Sequence, residues 1–364
     1  MKEKIKILTI VGARPNFIKI APLFEEFKKY KLIKPILVHT GQHYDFEMSR
    51  IFFQDLKIPK PHYNLGVGSG SHAWQTAKVM EKLEPVFLKE KPDLVVVVGD
   101  VNSTLAGALV AAKLNIPVAH IEAGPRTFDK KMPEEINRIL TDHISDFLFC
   151  PTKTAAENLR KEGIKKGVYN TGDLMYDAFL RGIKIASKKS KILKKLKIKP
   201  KTYLLFTLHR PQNVDNLKNL KKILEAIKKS REKTIFPVHP RTKKQLSKFN
   251  KLNQLNTLSN FIFTNPVGYL DMIWLEKNAK RIITDSGGVQ KEAYWCKVPC
   301  ITLMKNTGWP ETVKDKWNVL VGTDKEKFIK AVKEFNPKQK QHKYFGDGKT
   351  AQRIIKILYR QKRS

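Results

Sequence analysis

The strongest constraint in this chain is a bare apolar run, Leu94-Val95-Val96-Val97-Val98, that stops at Gly99-Asp100. A short apolar run bounded by a turn fits a strand covered on both faces, the setting of a parallel sheet. A helix of small residues follows through Leu105, Ala108, Leu109 and Ala112, and then a second run, Pro117 to Ile121, stops at Glu122-Ala123-Gly124. Two parallel strands joined by a helix make a right-handed unit, so both end on one edge of the sheet. Asp100 and Glu122 are therefore expected side by side at the carboxyl edge, where open parallel sheets take their ligands. Each acid also has a plainer reading. Asp100 can cap the helix that starts near Ser103, and Glu122 can pair with Arg126.

The same grammar runs along the rest of the chain. Strand Ile5–Val11 leads into Gly12-Ala13-Arg14-Pro15-Asn16 and a helix. Arg14 and Lys19 flank that helix start, whose backbone N–H groups favour an anion, although the dinucleotide glycine fingerprint is absent. Further strands are read at Ile36–Val38, Phe147–Phe149, Tyr203–Leu208, Ile235–Val238, Phe261–Phe263, Arg281–Ile283 and Cys300–Leu303, with helices between them. The basic stretch Lys188–Lys201 reads as a surface helix on a face of Ile192, Leu193 and Leu196, and Asp347–Arg360 as a final helix. The periodicity restarts after Val168–Gly172, and 364 residues are more than one core accommodates. The expected fold class is α/β, with two Rossmann-like doubly wound domains facing across a cleft lined by both carboxyl edges.

Charge is the other global constraint. Lys and Arg number 70 against 34 Asp and Glu, a net charge of +36. Such an excess favours polyanions or small anionic substrates. No basic-aromatic nucleic-acid motif accompanies it, and the lysines are scattered over amphipathic segments. A Lys-rich surface also fits a hot habitat, a reading weighed above nucleic-acid binding. No apolar run approaches the roughly 20 residues that span a bilayer. Cys150, Cys296 and Cys300 have no paired spacing, so neither disulfides nor a metal cage is expected and a reducing cytoplasm is the default.

In the second half, Thr284-Asp285-Ser286-Gly287-Gly288-Val289-Gln290 follows a strand and opens a helix. Glycines let a phosphate approach the backbone, and Ser286 adds a hydroxyl donor at the positive end of the helix dipole. Glu292, one turn in, is placed to accept from ribose hydroxyls. His209, at the end of another strand, can donate a proton or hydrogen bond to a diphosphate, and His239 is a second candidate. Phosphate donors in one half and carboxylates in the other suit a nucleotide-activated sugar. A glycosyltransferase has the same ingredients.

Taken in order, these motifs resemble the non-hydrolysing UDP-N-acetylglucosamine 2-epimerases. The matching stretches are Gly12-Ala13-Arg14-Pro15 with Lys19, Thr40-Gly41-Gln42-His43, Gly99-Asp100, His120-Ile121-Glu122-Ala123-Gly124 with Arg126-Thr127, Pro133-Glu134-Glu135 with Asn137-Arg138, His209-Arg210, and Thr284–Gly288 with Gln290 and Glu292. The resemblance implies a glycosyltransferase-B-like fold, a homodimer, a UDP-sugar substrate and chemistry without metal or other cofactor. It divides the chain into 1–169 with 346–364, carrying the carboxylates, and 170–345, carrying the UDP site. It implies that Asp100, Glu122, Glu134 and His209 are catalytic. Arg14, Lys19, Arg126, Arg138, Met272, Ser286, Gly287, Gly288 and Glu292 would bind substrate or UDP. Gln42, His43 and His239 fit a second, activating UDP-GlcNAc site, where Asp45 and Trp74 replace the family's Gln and Arg. Trp309, in Gly308-Trp309-Pro310-Glu311, stands where many members carry a phosphate-binding Arg; Trp is seen there in relatives acting on a UDP-diacetamido-glucuronic acid. The alternatives are therefore an epimerase of that modified sugar, a hydrolysing epimerase that releases ManNAc and UDP, a glycosyltransferase, and a nucleic-acid-binding protein.

Overall fold

The computed structural model describes residues 4–42, 58–249 and 260–361, the side chains of Arg14 and Gln361 excepted. The chain divides into two compact units, Met1–Leu180 with Lys343–Ser364, and Arg181–His342. Each is built on one parallel sheet. The first sheet has seven strands: β1 (Ile5–Val11), β2 (Ile33–His39), β3 (Tyr63–Asn64), β4 (Leu94–Val98), β5 (Val118–Ile121), β6 (Phe147–Cys150) and β7 (Val168–Asn170). Their spatial order is β3-β2-β1-β4-β5-β6-β7. The second has six: β8 (Leu204–Thr207), β9 (Thr234–Pro237), β10 (Phe261–Thr264), β11 (Arg281–Thr284), β12 (Cys300–Thr302) and β13 (Asn318–Leu320). Their order is β10-β9-β8-β11-β12-β13. This is the expected α/β class of two doubly wound, Rossmann-like units.

The bare valine run has a direct physical account. Leu94, Val96 and Val98 enter one core, with Phe17, Ile20, Phe24 and the Ile354, Ile355 and Leu358 side chains of helix Thr350–Gln361. Val95 and Val97 enter the opposite core, with Val79, Leu83, Ala106 and Val110 from the helices His72–Glu90 and Asn102–Lys113. Both faces are covered, so no position of the strand can be polar. Each fully buried side chain of this size contributes roughly 1.5–3 kcal/mol relative to exposure.

In each sheet the strand order reverses once, between β1 and β4 and between β8 and β11. Connections leave such a pair in opposite directions, which opens a crevice at its carboxyl end. In the first unit Asn16 closes the base of this crevice. Its Oδ1 accepts from the backbone N–H of Gly12 (3.2 Å) and Ala13 (3.0 Å), and its Nδ2 donates to the Val98 carbonyl at 2.9 Å. In the second unit the Thr207 and Thr284 hydroxyls hydrogen-bond at 2.6 Å.

Two local expectations are corrected. Val168–Asn170, expected only as a stretch after which the periodicity restarts and not as a strand, is edge strand β7, paired with β6. The basic stretch 188–201 is not one surface helix. Helix Leu174–Lys189 ends within it, and only Ile192–Lys195 is helical beyond. Lys197 at φ 50° and Lys201 at φ 62° are left-handed, and Pro200 lacks the N–H a helix needs.

Asn16→Ala would leave the backbone N–H groups of Gly12 and Ala13 buried without their side-chain acceptor, each worth about 1–3 kcal/mol, while the Val98 carbonyl would keep the Thr104 hydroxyl. The expected result is a melting temperature lowered by roughly 5 °C or more. An unchanged thermal melt would show that the clamp is dispensable.

Candidate active site

The register Val98↔Ile121 sets Gly99-Asp100 beside Glu122, as the crossover rule requires. Neither plain reading of these acids holds. The N-cap of helix Asn102–Lys113 is Val101, without a side-chain cap, and the Asp100 carboxylate instead pairs with the guanidinium of Arg138. Glu122 pairs with Lys19 at 2.8 Å, not with Arg126. Gly99 makes room for this pair: a Cβ there would lie 3.1 Å from Lys19 Nζ and 4.0 Å from Glu122 Oε1. Glu122 itself has φ 72°. A left-handed backbone on a residue with a Cβ costs about 1 kcal/mol or more and is retained where the surroundings demand it.

Helix Pro133–His143 supplies the partners. Glu135 is buried and accepts from the N–H of Thr127 (3.0 Å) and Phe128 (2.8 Å) and from Arg138 (2.6 Å). Burial works against its ionisation, but Arg138 and those two amides hold its carboxyl below the ordinary range. Arg138 thus forks between Glu135 and Asp100. Burial would lower its pKa, and the two carboxylates, Asp100 first, raise it instead. Asn137 Nδ2 donates to the Asp100 carbonyl at 2.9 Å, so Asp100 is gripped by backbone and side chain together. Glu134 is half-buried in the first turn of this helix.

Beneath this edge lies a second buried group. Asp142 has no exposure; its Oδ1 meets His120 Nδ1 at 2.6 Å, and its Oδ2 accepts from Arg126 (2.7 Å) and the Gly124 N–H (3.1 Å). The other ring nitrogen of His120 meets the Gly99 carbonyl oxygen at 2.7 Å. Burial pushes Asp142 up, and His120 and Arg126 outweigh it and bring the carboxyl down. Arg126, expected at the substrate, spends its buried guanidinium on Asp142 and on both oxygens of Glu162. Gln42, expected in an activating site, is buried, and its Oε1 accepts from the Ser103 N–H (3.0 Å) and Oγ (2.7 Å). His43 and the Arg14 side chain lie outside the described residues.

The second unit organises its edge around Asp285. This buried carboxylate accepts from the His209 N–H at 3.0 Å, the Arg210 N–H at 2.9 Å and Asn213 Nδ2 at 3.0 Å. Arg210 Nε returns a bond to the Asp285 carbonyl at 2.8 Å. The loop after β8 is thereby fastened to the loop after β11. The His209 ring is partly exposed, with Nδ1 at 3.4 Å from Asp285 Oδ1, and it lies 5.3 Å from the ring of His239 at the end of β9. Ser286 is the N-cap of helix Gly287–Cys296 but makes no side-chain cap bond. Ser286, Gly287 and Gly288 are half-exposed, so the helix start can present its N–H groups to an anion. Glu292 is buried on this helix. Burial, then the carboxylates of Glu292 and Glu276, holds the Tyr269 hydroxyl well above its ordinary range. Met272 is half-buried on helix Tyr269–Asn278.

Sequence reasoning passed over Asn16, Glu135, Asp142 and Asn213 as positioning groups and gave Asp285 no role beyond its motif. The available signal was position: Asp285 directly follows a buried strand, where a polar side chain must be answered by nearby donors. Among the described residues, no group of three His, Cys, Asp or Glu side chains is placed to hold a metal ion. No helix among them is long and apolar enough to cross a membrane.

A family model for UDP-N-acetylglucosamine 2-epimerase matches residues 25–359. A UDP-N-acetylglucosamine 2-epimerase homolog of Methanococcus maripaludis is 55% identical over 97% of this chain and 99% of that protein. The crystal structure of the Methanocaldococcus jannaschii UDP-GlcNAc 2-epimerase, in complex with UDP-GlcNAc and UDP, is 49% identical. It superposes with a TM-score of 0.94 over 98% of this chain and all of that one. A UDP-2,3-diacetamido-2,3-dideoxy-D-glucuronate 2-epimerase of Pseudomonas aeruginosa is 41% identical over 97% of this chain and 99% of that protein.

Acid should act through Glu135 and Asp142. A carboxyl whose pKa is depressed by folding adds stability that is complete above its unfolded pKa and is lost as the pH falls through the folded one. From ordinary values of 4.5 and 3.8, these two should make stability decline on acidification below about pH 4.5. Glu135→Gln should melt lower than the parent at pH 7 and lose less on going to pH 3.5. Parallel losses in the two proteins would remove Glu135 from this account.

Proposed function

The chain belongs to the UDP-N-acetylglucosamine 2-epimerase family, and from that premise we propose that it interconverts UDP-GlcNAc and UDP-ManNAc without releasing free sugar. The observation that carries this reading is the pair of carboxylates at adjoining strand ends, Asp100 and Glu122, each held by its own cation, Arg138 and Lys19. The C2 hydrogen of the sugar is not adjacent to a carbonyl, so simple abstraction would be very slow. Elimination avoids that difficulty. One carboxylate takes the C2 proton as the C1–O bond breaks, and UDP leaves with the bonding pair, giving bound 2-acetamidoglucal. A second acid returns a proton to C2 from the opposite face while a UDP oxygen bonds again to C1. Atoms and electrons balance without an oxidant, so the reaction calls for no cofactor.

Asp100, Glu122 and Glu134 are the candidates for proton transfer and for steadying positive charge on the ring. Lys19 and Arg138 orient the first two and cancel repulsion between acids that must share a site with an anionic substrate. His209, Arg14, Ser286, Gly287 and Gly288 would hold the diphosphate, and Glu292 the ribose. A diacetamido-glucuronate UDP-sugar is the second substrate reading, favoured by Trp309. The same family reading implies a homodimer. Ile136 and Leu140, one turn apart, are 44% and 46% exposed. Ile136, with Ala73, Ala77 and Met80, borders an open apolar groove of about 350 Å³, a surface suited to a second copy.

The deciding experiment follows UDP-GlcNAc by NMR in D2O, with the diacetamido-glucuronate UDP-sugar run beside it. UDP-ManNAc should appear with deuterium at C2. Retention of the original hydrogen through many turnovers would eliminate the mechanism, and UDP accumulating one-for-one with ManNAc would identify a hydrolysing enzyme. Asp100→Asn and Glu122→Gln should each lower kcat at least about 100-fold while UDP affinity changes little. Replacing both Ile136 and Leu140 with Asp should give a monomer by sedimentation; a persisting dimer would locate the interface elsewhere.

A further inference from the structure

Trp309 lies on a loop that passes over the start of helix Gly287–Cys296. Its Nε1 is 3.2 Å, and its Cδ1 3.8 Å, from where a Cβ on Gly287 would sit. The pyrrole edge of the indole thus faces the glycine that opens the helix, and any other residue at 287 would crowd it. The loop backbone that carries the ring is fixed. Trp309 N–H donates to Thr307 Oγ1 at 3.1 Å, Thr307 Oγ1 donates to Gln290 Oε1 at 2.6 Å, and Thr312 Oγ1 donates to the Trp309 carbonyl at 2.8 Å. Lys291, one turn along the same helix and only 1% exposed, puts its ammonium 3.8 Å from the centroid of the Trp309 ring and 5.8 Å from that of Trp295.

We propose that the Trp309 indole N–H is a side-chain donor to the diphosphate of the bound UDP-sugar, and that the Lys291 ammonium against its face strengthens it. This deepens the reading of Ser286–Gly288 as the diphosphate site and rests on it. The chemistry is general. A cation on the face of an indole is attracted to its π density and draws that density toward itself, leaving the N–H more positive. The ammonium also adds positive potential where low dielectric lets it carry further. The loop thus offers a polarised N–H, with the cation stacked on the ring rather than in contact with the phosphate. Negative charge grows on the diphosphate as the C1–O bond breaks, so a donor aimed at it contributes more in the transition state than in the substrate complex.

The test measures calorimetric binding of UDP and of uridine, together with kcat, for the full-length protein and three variants. Trp309→Phe keeps the ring and the stacked cation and removes only the donor. UDP affinity should fall about tenfold, kcat should fall as well, and uridine affinity should hold. Lys291→Met should weaken UDP about three- to fivefold, and Lys291→Arg, which keeps a cation on the ring, should restore most of it. A Trp309→Phe protein that melts like the parent and binds UDP equally well overturns the proposal. So does an equal loss for UDP and uridine, which would make Trp309 a pocket wall. A readout independent of variant folding is the indole 1H–15N resonance of Trp309 in the unmodified protein, which UDP should move downfield and uridine should leave in place. UDP bound with no movement of that resonance also overturns it. Failure of the underlying function would look different: the unmodified protein would bind no UDP.

Discussion

In each unit, one carboxylate without exposure holds the functional edge together: Asp142 in the first and Asp285 in the second. Removing a charge from water costs several kcal/mol, and only a full set of well-aimed donors offsets it. The donors are therefore not free to wander. Asp285 is met by two successive backbone N–H groups and the Asn213 amide, which fixes the path of the chain through His209 and Arg210. Asp142 is met by His120, Arg126 and the Gly124 amide, which fixes the turn that follows Glu122. Asn16 and Asn213 extend the same device: the Asn16 amide donates to the carbonyl of Val98 at the end of β4, next to β1, and the Asn213 amide to that of Leu303 just after β12, two strands from β8.

Above this foundation, the carboxyl edge of the first unit balances its own charge. A protein of net charge +36 could have offered an anionic substrate an unbroken basic surface. Instead Lys19 and Arg138 are committed to Glu122, Asp100 and Glu135. For the proposed reaction, an acid that is to exchange a proton needs a local cation more than a distant field, because only the near charge survives screening.

The layers of the fold were legible because the physics of a two-sided sheet leaves its mark directly in the sequence. β1 and β4 coincide with their apolar runs to the residue. β3, β7 and β13 were not legible, being edge strands of two or three residues with little to bury. The adjacency of Asp100 and Glu122 followed from crossover handedness alone. Their partners did not, since Lys19 stands 103 positions from Glu122 and Arg138 stands 38 from Asp100, and sequence carries no record of which distant cation a fold delivers. Glu135 and Asp142 were hidden for another reason. On an amphipathic helix a buried acid looks like its solvated neighbours until the donors around it are known.

Glu135 does one thing more. By accepting from the amides of Thr127 and Phe128 while gripping Arg138, it ties the beginning of the connector 127–132 to the helix at its end. The segment is a closed ring cinched by one carboxylate, and Asp100 depends on the side of the helix that ring presents. A residue added or removed ahead of Pro133 would change the span that this ring closes, and either the two amide bonds or the grip on Arg138 would have to give. Over evolutionary time this stretch can exchange its side chains, Phe128 among them, but it has almost no licence to change its length.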